Sequence, residues 1–166
     1  MHAIEQEPQV EPDPILSSSR GAEMNKSHKI ALIILLSLSN VTTVLPAAAD
    51  PARDAILATL AEEAKKADPA FGGFSEERGQ AFFAAKHTGG KPDTPSCTSC
   101  HSQDPTAAGE TRAGKRIEPM AVSKNPSRFT KVDEVNKWFG RNCNSVLGRE
   151  CTAVEKGDFI TYLSGK

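Results

Sequence analysis

Four cysteines stand at positions 97, 100, 143 and 151, and the first two open the run Cys97-Thr98-Ser99-Cys100-His101. Two thiols three residues apart, followed at once by an imidazole, form the C-x-x-C-H sequence of c-type haem attachment. Each thiol can add to a haem vinyl group. The next residue then falls beneath the iron, where an imidazole nitrogen can ligate it. The expected cofactor is one haem c, with Cys97 and Cys100 as covalent attachment points and His101 as an axial iron ligand. Other uses of the pair fit less well. A zinc site needs a second closely spaced pair, which this chain lacks. A thioredoxin-like dithiol needs a surrounding βαβ pattern, and none is present.

The rest of the chain must position that group. It has 166 residues, 38% apolar and 25% charged, which suits one domain with a small core. A core of that size gains from a covalent or cofactor staple. The formal net charge of −1 excludes bulk attraction to nucleic acid. Residues 1–23 are acidic and proline-bearing. A basic stretch follows from Met24 to Lys29, then an apolar run from Ile30, then Pro46-Ala47-Ala48-Ala49. This is the pattern of a secretory signal, with cleavage expected after Ala49. An uncleaved anchor over Ile30–Ala49 is disfavoured by the Ser, Asn and Thr in its second half. The expected division is a leader over 1–49, whose translation can equally begin at Met24, and a single domain over 50–166 exported to the periplasm.

Within that domain the expected class is all-α. Pro51–Lys66 reads as a helix with Ile56, Leu57, Leu60 and Ala64 on one face. A second helix is expected from the N-cap Ser75 to near His87, carrying Gly79, Phe82 and Phe83. A short helix is expected over Val132–Phe139, ended by Gly140, with a tight polar segment from Arg141 to Glu150. Thr152 with Glu155 three positions on is a capping box for a last helix bearing Phe159, Ile160, Tyr162 and Leu163. No segment gives a strand pattern. Met120 follows the haem motif too closely to reach round the haem, and is read as core packing. His87 is read as a surface or capping residue. Lys86, Lys91, Lys115 and Arg116 are either a basic rim for an acidic partner or scattered surface charges, the latter being favoured. Asn142 and Asn144, judged as residues alone, are equal candidates for any role in the polar segment.

The helices are similar to those of class I cytochromes c. In that fold an N-terminal and a C-terminal helix cross at a glycine facing an aromatic ring, here Gly79-x-x-x-Phe83 and Phe159-Ile160-Thr161-Tyr162-Leu163. Two longer segments resemble the sphaeroides haem protein family. One is Thr88-Gly89-Gly90-Lys91-Pro92-Asp93-Thr94-Pro95-Ser96 leading into the haem motif. The other is Lys137-Trp138-Phe139-Gly140-Arg141-Asn142-Cys143-Asn144-Ser145-Val146-Leu147-Gly148-Arg149-Glu150-Cys151. The resemblance implies a class I cytochrome c fold with Asn142 as the sixth ligand of ferric iron. It implies a Cys143–Cys151 disulfide, which an oxidising compartment would also favour. It implies electron delivery from a dihaem c-type cytochrome fed by a membrane b-type cytochrome. Trp138 is expected to pack near the haem. The function so implied is a monohaem cytochrome that binds a diatomic ligand such as oxygen or nitric oxide once Asn142 is released. A plain electron shuttle and a haem enzyme acting on oxygen or nitrogen oxides are the alternatives. No general acid or base stands out near the expected distal side of the haem, which disfavours dedicated catalysis.

Overall fold

The computed structural model describes residues 49–166. The acidic segment, basic stretch and apolar run read above as a leader lie outside the described residues. Helix α1 spans Pro51–Ala67. Its first turn is capped by the Asp50 side chain, which accepts from the backbone N–H of Ala52 at 2.9 Å and of Arg53 at 3.3 Å. Ile56, Leu60 and Ala64 are buried, as their spacing requires. The helix stops at Asp68, which precedes Pro69 and is extended at φ −141°.

Helix α2 spans Glu76–Ala84, starting on the expected Ser75 cap. It ends short of His87. Ala85 turns extended, and the His87 N–H instead donates to the Pro95 carbonyl at 2.7 Å. A single 3₁₀ turn, Cys97–Ser99, carries the start of the haem motif. Strands β1 (Gly109–Glu110) and β2 (Arg116–Ile117) pair antiparallel. Two residues each are too few for an alternation to show in the sequence.

Helix α3 spans Val132–Leu147 and corrects the sequence reading. It does not stop at Gly140, and Arg141–Leu147 are helical rather than a tight polar segment. Glycine weakens a helix by about 1 kcal/mol relative to alanine but does not break it. The buried positions Val135, Phe139, Cys143 and Val146 continue the three-and-four spacing straight through. The actual stop is Gly148, left-handed at φ 69°. Helix α4 (Ala153–Ser164) opens on the expected capping box. Glu155 N–H donates to Thr152 Oγ1 at 3.2 Å, and Thr152 N–H to Glu155 Oε2 at 2.8 Å.

The α2–α4 crossing holds the domain together. A Cβ at Gly79 would fall on the Asp158 carbonyl oxygen and lie 2.7 Å from Tyr162 Cβ, so only glycine lets the backbones meet. Beside it, Asp158 is buried, 3% exposed. It accepts from the Ser75 N–H at 2.7 Å and from Arg78 Nε and Nη2, each at 2.7 Å. Phe159 is the hub of an aromatic cluster. Its ring centroid lies 5.9 Å from Phe83, 5.4 Å from Phe139, 6.2 Å from Phe129 and 6.4 Å from Phe82. The cluster thus ties α2, α3, α4 and the 125–131 loop together. Among the described residues, no helix is long and apolar enough to cross a membrane.

Candidate functional site

A cavity of about 550 Å³ opens beside this cluster. That lies within the range of roughly 300–1,000 Å³ for small-molecule and cofactor sites. Its walls include Phe82, Phe129, Phe139, Phe159, Val135 and Val146. Cys97, Cys100 and His101 line it from the haem motif, and Asn142 and Trp138 line it from α3. Residues distant in sequence therefore converge on one apolar chamber.

The haem motif is held on both sides. Before it, Ser96 caps the 3₁₀ turn, accepting from the Thr98 N–H at 3.2 Å. After it, the Glu110 N–H donates to the Cys100 carbonyl at 2.8 Å, so the short ladder pins the second cysteine. Cys97 and Cys100 are both unbridged thiols. Burial pushes the Cys97 thiol up to about 11 and keeps it protonated. Burial also pushes the His101 imidazole down to about 4, with the positive charge of Arg128 as a second cause. A neutral imidazole is the form that binds a metal. His101 Nδ1 is buried with no hydrogen-bond partner among the described residues.

On α3 the two asparagines separate. Asn144 Nδ2 donates to the Gly140 carbonyl at 2.7 Å, and Asn144 does not line the cavity. Asn142 lines it, and its side chain makes no hydrogen bond within the described residues. Trp138 lies one turn earlier on the same face. It borders the cavity but is 51% exposed, with Lys137 Nζ 5.6 Å and Arg141 Cζ 5.8 Å from its ring. Met120 is buried in the core at 7% exposure and also borders the cavity. Of the four basic residues considered above, Lys115 and Arg116 reach the cavity lining, while Lys86 and Lys91 do not. His87 does not line the cavity; its ring lies 5.6 Å from that of Phe82.

Cys143 and Cys151 form a disulfide, with Cα atoms 5.6 Å apart. It joins α3 to the start of α4 one residue after Asn142. The C-terminal turn of α3 is also held by the loop preceding the haem motif. A Cβ at Gly89 would strike the Leu147 carbonyl, one at Gly90 would strike the Ser145 carbonyl, and the Lys91 N–H donates to Ser145 O at 2.7 Å. The two segments that resemble the sphaeroides haem protein family are thus packed directly on each other.

Comparison with known proteins decides the family. A family model described as a domain of unknown function, DUF1924, matches residues 69–163. Cytochrome c-type protein SHP of Cereibacter sphaeroides is 58% identical over 90 residues, covering 54% of this chain and 70% of that protein. The chain belongs to the sphaeroides haem protein (SHP) family. The structure of oxidised SHP, an oxygen-binding cytochrome c, superposes with a TM-score of 0.64 at 47% identity. It covers 71% of this chain and all of that one. Cytochrome c'' of Methylophilus methylotrophus is 37% identical over 101 residues, covering 60% of this chain and 70% of that protein. Its solution structure, concerned with haem-ligand detachment, superposes with a TM-score of 0.60 at 32% identity, covering 69% of this chain and 93% of that one.

This SHP-family chain is therefore a monohaem c-type cytochrome of the all-α cytochrome fold. The cavity suits the group. Two free thiols, a neutral imidazole and aromatic walls are the donor set and lining that a covalently held haem needs. Several residues that shape the chamber carried no motif. Arg128, half-buried, lines it, and burial lowers its guanidinium pKa against the opposing charge of Glu118. Phe129 lines it from a left-handed backbone position at φ 63°. Arg53, 4% exposed, donates from Nη2 to the Pro126 carbonyl at 2.6 Å and from Nε to the Arg128 carbonyl at 3.1 Å. In the sequence these are isolated residues in a helix and an irregular loop, and only tertiary contact gives them a role.

Proposed function

We propose that Cys97 and Cys100 carry the haem through thioether bonds, with His101 as one axial ligand and Asn142 as the other in the ferric protein. The haem supplies a one-electron couple and a coordination position. The protein decides whether that position is open. An amide oxygen is a neutral, hard and weak donor. It suits ferric iron and releases the softer ferrous ion. Reduction then frees Asn142 and admits a small diatomic ligand such as oxygen or nitric oxide. The disulfide and the Gly89-Gly90 contact hold α3, so release is a local side-chain movement rather than a shift of the helix. Electrons arrive from a dihaem c-type cytochrome fed by a membrane b-type cytochrome, and the protein works in the periplasm after cleavage at Ala49. Oxygen binding by SHP and haem-ligand detachment in cytochrome c'' support this reading.

The observation that carries the proposal is the Asn142 amide. It borders the same chamber as His101 and makes no hydrogen bond to another described residue, whereas Asn144 donates to the Gly140 carbonyl. The test is to reduce the holoprotein and add carbon monoxide. Rapid binding is expected. A six-coordinate ferrous spectrum that ignores carbon monoxide would make the protein a closed shuttle.

A further inference from the structure

Arg128 stands out among the charges on the chamber. It lines the cavity and its Nε is buried with no hydrogen-bond partner among the described residues. Its Nη2 donates to the Glu118 carbonyl at 3.0 Å, so one arm of the fork is fixed and Nε is left over. An unpartnered buried donor on a cation is costly unless an anion completes it. The other charged side chains lining the cavity are the cations Lys115, Arg116 and Lys131 and the single carboxylate Glu134, and no salt bridge joins Arg128 to any carboxylate among the described residues. A haem brings two carboxylates of its own.

The backbone carrying Arg128 is built to hold one position. Arg53 is a buried cation from α1 whose guanidinium, among the described residues, bonds only main-chain carbonyls, those of Pro126 and Arg128 itself. The next residue, Phe129, sits in the left-handed region that a bulky side chain adopts only when its surroundings impose it. Its ring meets Phe159 edge-on at 6.2 Å. Clamped from behind by Arg53 and in front by this ring contact, the loop presents Arg128 to the chamber at a fixed place.

We propose that Arg128 is the counter-ion of a haem carboxylate, held in place by Arg53 as a positioning residue. This rests on the haem assignment of the preceding section. The guanidinium fork suits the task because it can bond a carboxylate while keeping its second contact to Glu118 O. Neutralising that carboxylate favours the reduced haem, which carries one positive charge fewer than the oxidised form. Arg128 therefore raises the reduction potential and so bears on when the distal ligand is released.

The test uses the purified holoprotein with Arg128→Gln and Arg128→Lys. Covalent haem is confirmed first by intact mass. Failure to attach haem in the wild type would sink the haem assignment itself, whereas the following results bear on Arg128 alone. Spectroelectrochemistry should show a lower midpoint potential for Arg128→Gln and a value near wild type for Arg128→Lys. An unchanged midpoint in Arg128→Gln overturns the proposal. If that variant does not accumulate as folded holoprotein, resonance Raman of the wild type and Arg128→Lys decides. The propionate bending band moves if Arg128 bonds the carboxylate, and stays if it does not. Arg53→Gln should lower the midpoint in the same direction as Arg128→Gln. A midpoint equal to wild type in a folded Arg53→Gln removes the positioning role.

Discussion

The same substitution, glycine to alanine, should act with opposite sign at two helical positions. At Gly79 an added methyl falls on the Asp158 carbonyl oxygen, 2.6 Å from the carbonyl carbon and 2.7 Å from Tyr162 Cβ, where ordinary contact lies at 3.4–4 Å. The obstacles are the backbone and the root of a side chain, so no rotamer change relieves them. Helices α2 and α4 must move apart by about 1 Å, and overpacking of this kind costs about 1–3 kcal/mol. The movement also stretches the bonds from Asp158 to Ser75 and Arg78, and a hydrogen bond to a charged group is worth about 1.5–3 kcal/mol. Against this, alanine returns about 1 kcal/mol of helix propensity. The net loss for Gly79→Ala is about 2–3 kcal/mol, which lowers Tm by roughly 8–20 °C in a domain of this size. At Gly140 a Cβ would meet nothing within 4 Å. Only the propensity gain remains, so Gly140→Ala should stabilise by about 0.5–1 kcal/mol. Thermal and urea unfolding of both holoproteins, followed by far-UV circular dichroism, reads the two signs directly. A Gly79→Ala variant as stable as wild type, or a Gly140→Ala variant that loses stability, would refute the packing argument.

Asn142→Ala should leave covalent haem in place, change the ferric absorption spectrum and bind carbon monoxide at least as fast as wild type once reduced; an unchanged ferric spectrum would remove Asn142 from the iron. Replacing both Cys143 and Cys151 with serine should cost about 2–3 kcal/mol, the entropy of closing so short a loop, read as a fall in the urea midpoint. In the haem-free chain, burial, then Arg128, lowers the His101 pKa, and an iron bond would favour the neutral imidazole further, so the ferric spectrum of the holoprotein should hold as pH falls through 6.5. A spectral transition centred at about 6–7 would contradict it.

The parts of the fold visible in the sequence were those written in local chemistry. Ser75, Thr152 with Glu155, and Asp68 before Pro69 mark helix ends through contacts within a few residues, and each lies where its residue type directs. Gly79 was also legible, since glycine beside Phe83 facing an aromatic segment signals close approach. Gly140 misled because glycine carries the same meaning to a reader whether it ends a helix or merely sits on an exposed face. What distinguishes the two is the burial of Cys143 and Val146 beyond it, a tertiary fact. The Cys97, Cys100 and His101 triplet was plain from spacing alone. As residues alone Asn142 and Asn144 were not separable; the family resemblance singled out Asn142, and the continuation of α3 lines the chamber with it while Asn144 bonds back to Gly140. Arg53 was invisible because its bonds span the domain, and no periodicity records a side chain that reaches carbonyls more than seventy residues away; Arg128 was invisible because it sits in an irregular loop with no pattern to place it on the chamber.

The Cys143–Cys151 bridge has a further consequence for how the molecule is assembled. In an oxidising compartment a chain with these four thiols could form six different single crosslinks, and only Cys143–Cys151 leaves both members of the haem motif available. The bridged residues are separated by eight positions across one turn between consecutive helices. Such a short span meets itself far more often than it meets the distant motif. Local proximity therefore keeps Cys143 and Cys151 from crosslinking to the haem motif, whose own two thiols, closer still, must be kept reduced until the cofactor arrives.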